Sequence, residues 1–186
     1  DDGYHELQTL FQLLDFGDTL TLSLTAQPGI SLHLGGGFGQ RLPAESNLAL
    51  RAAQLLAGET REPLPGTRIE LHKRIPLGGG LGGGSSDAAA VLRGLNRLWD
   101  LKLAGSRLAE LGLQLGADVP VFLAGRSAWA EGVGEKLEPV DLPTRHYVVL
   151  SPSVEVSTAA VFTQEDLTRN TLPIKIADFL AGGSRN

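Results

Sequence analysis

Between Gly78 and Gly84 six of seven residues are glycine, interrupted by Leu81, and Ser85, Ser86 and Asp87 follow at once. Each glycine costs roughly 0.5–1 kcal/mol of conformational order relative to alanine, so such a run implies a backbone that must approach something closely. A strand-like stretch (residues 66–75) leads into the run and an Ala-rich helical pattern leaves it. Strand, glycine loop and helix start in that order leave free N–H groups at the positive end of a helix dipole, which is an anion site. Glycines admit phosphate oxygens with no Cβ in the way, and the hydroxyls of Ser85 and Ser86 can cap the helix or reach a phosphate or its Mg²⁺. A flexible linker is the competing reading, but linkers usually mix in Ser, Thr or charges and rarely run from a strand straight into a strong helix. A second chemical candidate is Asp118, set between a helix end and "VPVF". A carboxylate there either binds turn backbone or accepts a proton.

Two familiar phosphate loops do not fit. A P-loop ends in Gly-Lys-Ser/Thr, whereas Gly84 leads to Ser85 and Ser86 with no lysine. The dinucleotide fingerprint is formally present at Gly78, Gly80 and Gly83. It lacks the strand and ribose-binding acid expected about 20 residues on.

The elements that must position these groups can be read from periodicity. Residues 6–14 and 19–25 read as strands joined by "DFGD", the second alternating strictly; residues 30–34 suggest a third. Ser46 or Asn47 caps a short amphipathic helix ending at Gly58. In residues 66–75 alternation places Ile69 and Leu71 on one face, and Lys73 either continues that face or is a solvated strand residue. A helix is expected over residues 85–99, with Ala88, Val91, Leu92, Leu95 and Leu98 on its apolar side, and another over 106–116. "DVPVFLAG", "SAWAEG" and "YVVLS" read as strands, and helical pieces are expected around 157–162 and 174–180. A β-rich start followed by intermixed helices and strands, without strict βαβ alternation, implies an α+β fold.

Composition narrows the classes. The chain has 186 residues, 42% hydrophobic, no cysteine, no methionine and a net charge of −5. Disulfides, Cys-ligated zinc and thiol nucleophiles are excluded, which fits a reducing cytoplasm. The acidic balance disfavours nucleic acid as the main partner, and no apolar run is long enough for a membrane span. His33, His72 and His146 have no partner at metal-ligand spacing, so no metal site is assigned to protein side chains alone. With no methionine even at position 1, and an end in "AGGSRN", the chain reads as a piece of a longer protein.

The segment "PLGGGLGGGSSDAA" resembles the second motif of the GHMP kinases, the galacto-, homoserine, mevalonate and phosphomevalonate kinases. The doubled triple glycine, with "DDGYHELQTLFQLLDFGD" at residues 1–18, "LGADVPVFLAG" at 115–125, "AEGVGEKLEPV" at 130–140 and "SPSVEVSTAAVF" at 151–162, is similar to the branch acting on a cytidylyl methylerythritol. That resemblance implies a kinase domain over residues 1–150 and the start of a second domain over 151–186. It implies transfer of the γ-phosphate of ATP to the 2-hydroxyl of that substrate, in the non-mevalonate route to isoprenoid precursors, with Mg²⁺.

By the same resemblance Pro76, Leu77, Gly78, Gly79, Gly80, Leu81, Gly82, Gly83, Gly84, Ser85 and Ser86 wrap the ATP phosphates, and Asn47 and Lys73 lie near the adenosine. Tyr4 and His5 hold the cytosine, Phe162 stacks on it, Thr158 belongs to the same wall, and Asp118 is the catalytic base. The family's first motif, whose lysine pairs with that base, and its third, glycine-rich motif have no counterpart in the 186 residues. The chain alone is therefore expected to be inactive. Its partners are expected to be ATP and the small-molecule acceptor, with neither nucleic acid nor membrane; a homodimer is compatible with the sequence. Another GHMP kinase, a non-catalytic nucleotide-binding module, and a structural α+β domain with a glycine linker are the competing readings.

Overall fold

Leu20 and Leu22 alternate with hydroxyl residues, so the backbone of Thr19–Thr25 can pair as a strand while turning its leucines to the core. The computed structural model describes residues 8–37, 46–132, 134, 136–151, 161, 164, 166, 168 and 172–180. In chain order it contains β1 (Thr9–Phe11), β2 (Thr19–Thr25), β3 (Ile30–Gly35), α1 (Leu48–Ala57), β4 (Gly66–His72), α2 (Gly83–Leu98), α3 (Gly105–Leu115), α4 (Val119–Ala124), β5 (Ala128–Glu131), β6 (Lys136–Pro139) and α5 (Ile176–Leu180).

The main sheet has the order β2-β4-β3, with β4 antiparallel to β2 and parallel to β3. A parallel pair needs a crossover, and α1 supplies it. Asn47 starts that helix by accepting a hydrogen bond from the Ala49 N–H at 2.9 Å, and Gly58 closes it. One face of the sheet is covered by α1 and α2, and α3 and α4 pack onto α2. Their shared core holds Leu56, Ile69, Leu71, Val91, Leu92, Leu95 and Val119, all essentially inaccessible to solvent. Each large side chain so buried contributes about 1.5–3 kcal/mol.

Two polar ties close this core. The indole N–H of Trp99 donates to the Thr67 hydroxyl at 2.9 Å, linking the end of α2 to the start of β4. Asn96 binds both backbone groups of Leu103, at 3.0 and 3.1 Å. It thereby fixes the turn in which Asp100 and Lys102 take left-handed φ values of 52° and 56°.

A second, antiparallel sheet has the order β1-β5-β6. Trp129 of β5 packs its ring against Phe179 of α5, with centroids 5.5 Å apart. Residues 12–18 therefore run from one sheet to the other. No helix among the described residues is long and apolar enough to cross a membrane.

The α+β expectation holds, with local corrections. "DVPVFLAG" is helix α4: Pro120 sits in its first turn, where no N–H partner is needed, and Gly125 ends it in the left-handed region (φ 68°). "YVVLS" forms no strand, because residues 147–151 find no pairing partner among the described residues and Val148 and Leu150 stay exposed. His146 lies in that same irregular stretch. The first strand shrinks to three residues, and the strand ending at Ile75 stops at His72. Apart from Val161, the helix expected around 157–162 lies outside the described residues.

Candidate active site

The glycine loop leaves β4 through Lys73 and enters α2 at Gly83. Gly78, Gly80 and Gly82 all have left-handed φ, between 66° and 68°. Gly82 immediately precedes α2, where a Cβ would lie 2.7 Å from the ring of Phe122, so both its φ and its surroundings require glycine. The first intrahelical bond runs from the Ser86 N–H to the Gly82 carbonyl at 2.8 Å. The N–H groups of Gly83, Gly84 and Ser85 precede it and have no helical acceptor.

The loop is the common wall of two clefts. One, of about 540 Å³, is bounded by residues 76–85 together with Asn47, Leu48, Lys73 and Asp87. The other, of about 560 Å³, is bounded by the intersheet connection 11–19, Arg74, Ser86, Asp118 and Phe122. Gly80, Leu81 and Gly82 face both. Ser85 thus opens to the first cleft and Ser86 to the second, while the Ser86 hydroxyl also donates back to the Gly83 carbonyl at 2.8 Å.

Asp118 precedes α4 but makes no capping bond with its side chain. Among the described residues its carboxylate has no hydrogen-bond or ion-pair partner. It lies exposed at the rim of the second cleft, and the partial desolvation imposed there raises its carboxyl above the ordinary aspartate value. An unengaged carboxylate of raised basicity beside the glycine loop is suited to accept a proton.

Beneath the loop lies a charge cluster that sequence reasoning did not assemble. The Lys73 ammonium is buried between Asp18 and Asp87, 2.8 Å from the latter and in direct contact with the former. Asp18 also accepts from the backbone N–H groups of Arg74 and Ile75, the second at 2.9 Å. Burial pushes the Asp18 carboxyl up, but Lys73 and these two N–H groups outweigh it and hold it below the usual value. Asp87 lacks the backbone donors. Burial, only partly offset by Lys73 and reinforced by the charge of Asp18, pushes it up to about 6.

Several expected site residues therefore come together: the glycine loop, Ser85, Asn47 and Lys73 in the first cleft, Asp118 and Ser86 in the second. Lys73 lines the first cleft with its ammonium already engaged, and the Asn47 carbonyl caps α1. Tyr4, His5, Thr158 and Phe162 lie outside the described residues. Sequence reasoning missed Asp18, Phe122 and Arg74, whose guanidinium lies 4.7 Å over the Phe16 ring at the second cleft. It noted Asp87 without its burial, although Asp87 shares the helical phase of Val91 and Leu95.

Comparison with known proteins bears on the family and the fold. The GHMP kinases N terminal domain model matches residues 47–126. A 4-diphosphocytidyl-2-C-methyl-D-erythritol kinase of Marinobacter nauticus is 54% identical over 184 residues, covering 97% of this chain and 62% of that protein. A crystal structure of 4-(cytidine 5'-diphospho)-2C-methyl-D-erythritol kinase superimposes with a TM-score of 0.65 and 46% identity, covering 77% of this chain and 49% of the other. A homoserine kinase from Cytophaga hutchinsonii gives 0.61 and 25% identity over 92% and 56%. The chain spans between 60% and 66% of the length of the curated relatives it matches. With its glycine loop between strand and helix and its sequence shared with these kinases along its length, the chain belongs to the GHMP kinase family.

Proposed function

We propose that the protein carrying this chain transfers the γ-phosphate of ATP to the 2-hydroxyl of 4-diphosphocytidyl-2-C-methyl-D-erythritol. The observation that carries the reading is the placement of one glycine loop between two clefts, with Asp118 on the side away from Ser85. The nucleotide occupies the first cleft, its phosphates against the free N–H groups of Gly83, Gly84 and Ser85. The acceptor enters the second, where Asp118 takes the hydroxyl proton. The acceptor oxygen bonds to the γ-phosphorus as the bond to the bridging oxygen of ADP breaks, and ADP departs. Positioning and charge neutralisation supply most of the rate in such transfers. The acceptor's identity is supported by the names and identities of the relatives over nearly the whole chain.

Fit to Mg²⁺ follows from the donor set. Among the described residues no three acidic or histidine side chains gather as a cation site; Mg²⁺ would be held by the nucleotide phosphates, with Ser85 of the first cleft offering a hydroxyl oxygen. When bound, it neutralises phosphate charge. Tyr4, His5, Thr158 and Phe162 are assigned to the cytosine end of the acceptor on the resemblance of their motifs. Residues 1–150 are assigned to the nucleotide-binding domain and 151–186 to the start of the next. The reaction is assigned to the cytoplasm, a reading supported by its use of ATP and by the cysteine-free composition.

The test uses the full-length protein with Mg·ATP and the cytidylyl acceptor, following ADP release and product mass. A singly phosphorylated product is expected, and Asp118→Asn lowers its rate by about 10²–10⁴-fold with Mg·ATP binding retained. Transfer to homoserine instead moves the assignment to that branch of the family. Undiminished turnover in Asp118→Asn removes the base.

A further inference from the structure

The ends of the phosphate loop are tied to each other by buried charge. Lys73 stands where the chain leaves β4, and its N–H still extends the sheet ladder by donating to the Gly35 carbonyl at 3.0 Å. Asp87 stands one turn into α2, fourteen residues on, and its carboxylate meets the Lys73 ammonium at 2.8 Å. Residues 76–84 are the loop between them. Asp18, from the intersheet connection, grips the same ammonium and the N–H groups of Arg74 and Ile75, the last residues before the loop. Lys73 and Asp87 border the first cleft and Asp18 borders the second, so the three charges run through the wall that separates them. All three side chains are at most 4% exposed, which leaves them no direct role toward a solvated substrate.

We infer that Asp18, Lys73 and Asp87 form a positioning clamp that sets the spacing of the glycine loop, so that Asp87 governs phosphate binding without touching the nucleotide. This rests on the kinase reading given above. Ion pairs of this kind add little net stability compared with apolar packing, but removing one partner releases what they hold. A displacement of the order of 1 Å at the reacting phosphate costs up to ~10²-fold in rate. The choice of variant follows from the charges. Removing Lys73 strands two buried carboxylates, whereas removing Asp87 leaves Lys73 neutralised by Asp18.

The experiment compares Asp87→Ala and Asp87→Asn with the wild type in the full-length protein. Mg·ATP affinity is read by calorimetric titration, kcat and both KM values by ADP release, and folding by thermal unfolding. Asp87→Ala is expected to weaken Mg·ATP about tenfold or more while the acceptor KM stays within about twofold. Asp87→Asn, which keeps an oxygen facing Lys73, is expected to recover affinity to within about threefold. If Asp87→Ala does not fold, Asp87→Ser, polar but shorter, carries the same comparison. A lower melting temperature with wild-type Mg·ATP affinity, or equal losses in Ala and Asn variants, overturns the clamp. If the wild type binds Mg·ATP but transfers no phosphate, the kinase reading fails and the affinities still decide the clamp. A wild type that binds no Mg·ATP overturns both.

Discussion

Substituting alanine at Gly80 and at Gly82 separates the two reasons for glycine in the loop. Both residues have left-handed φ, 68° and 66°, so both alanines carry the same backbone cost of about 1–2 kcal/mol. Their surroundings differ. A Cβ at Gly80 meets nothing within 4 Å, whereas at Gly82 it lies 2.7 and 2.9 Å from Cζ and Cε2 of Phe122. Relieving that overlap moves the Phe122 ring or the start of α2, adding about 1–3 kcal/mol. Gly80→Ala is thus expected to destabilise by about 1–2 kcal/mol and Gly82→Ala by about 2–5 kcal/mol, the latter a large part of a typical domain's stability. Binding is affected separately: the methyl at Gly80 projects into open space where the proposed function puts phosphate, and is expected to weaken Mg·ATP about tenfold, equivalent to ~1.4 kcal/mol. Urea unfolding at constant slope gives the first quantity and Mg·ATP titration of the folded protein the second. Equal stability losses refute the packing argument. Unchanged nucleotide affinity in Gly80→Ala refutes the placement of phosphate against the loop.

Asp87, with a folded value near 6 against an ordinary 3.8, favours the folded state fully below pH 3.8. That contribution is lost as pH rises through 6, and is on the order of 2–3 kcal/mol. Asp18, held low, acts only below its ordinary 3.8 and in the opposite sense. Urea midpoints between pH 4 and 8 should therefore fall for wild type relative to Asp87→Asn, and parallel curves refute the assignment. Thr67→Val removes the acceptor of the buried Trp99 N–H and is expected to cost about 1–3 kcal/mol, with a shift in indole emission; unchanged stability refutes it. Asn96→Ala frees both backbone groups of Leu103 and the left-handed turn at Asp100 and Lys102. A loss of about 1–3 kcal/mol is expected, with faster amide exchange at Leu103, and an unchanged exchange rate refutes it.

Local pattern carried much of this architecture. The alternation in residues 19–25 and the spacing of Val91, Leu92 and Leu95 translate directly into β2 and α2, because each satisfies its own backbone and turns one face inward. Alternation left Lys73 either on the face of Ile69 and Leu71 or in solvent, and the structure buries it with them. What it met there was not legible: Asp18 is 55 residues away, and no local rule links the two. α4 misled because Val119, Val121 and Phe122 suit a strand by side-chain type. Tertiary burial of Val119 in the core shared with α2 and α3, with a proline start and a glycine stop, overrode that preference. For residues 147–151 the sequence states only that a strand is permitted; forming one takes a neighbouring edge. The glycine loop was legible as a strand-to-helix connection, while its position as a wall between two clefts depends on Phe122 and the 11–19 connection folding against it.

That connection has a mechanical consequence. Residues 12–18 are anchored at one end in the β1-β5-β6 sheet and at the other in β2-β4-β3, and the same residues line the second cleft. They act as a tether under whatever tension the two sheets set. A small rotation of one sheet against the other, caused for instance by repacking Trp129 on Phe179, stretches or slackens the tether and changes the cleft's width. The gauge of the second cleft is thereby coupled to the angle between two sheets, through a ring contact that lies outside the lining of that cleft.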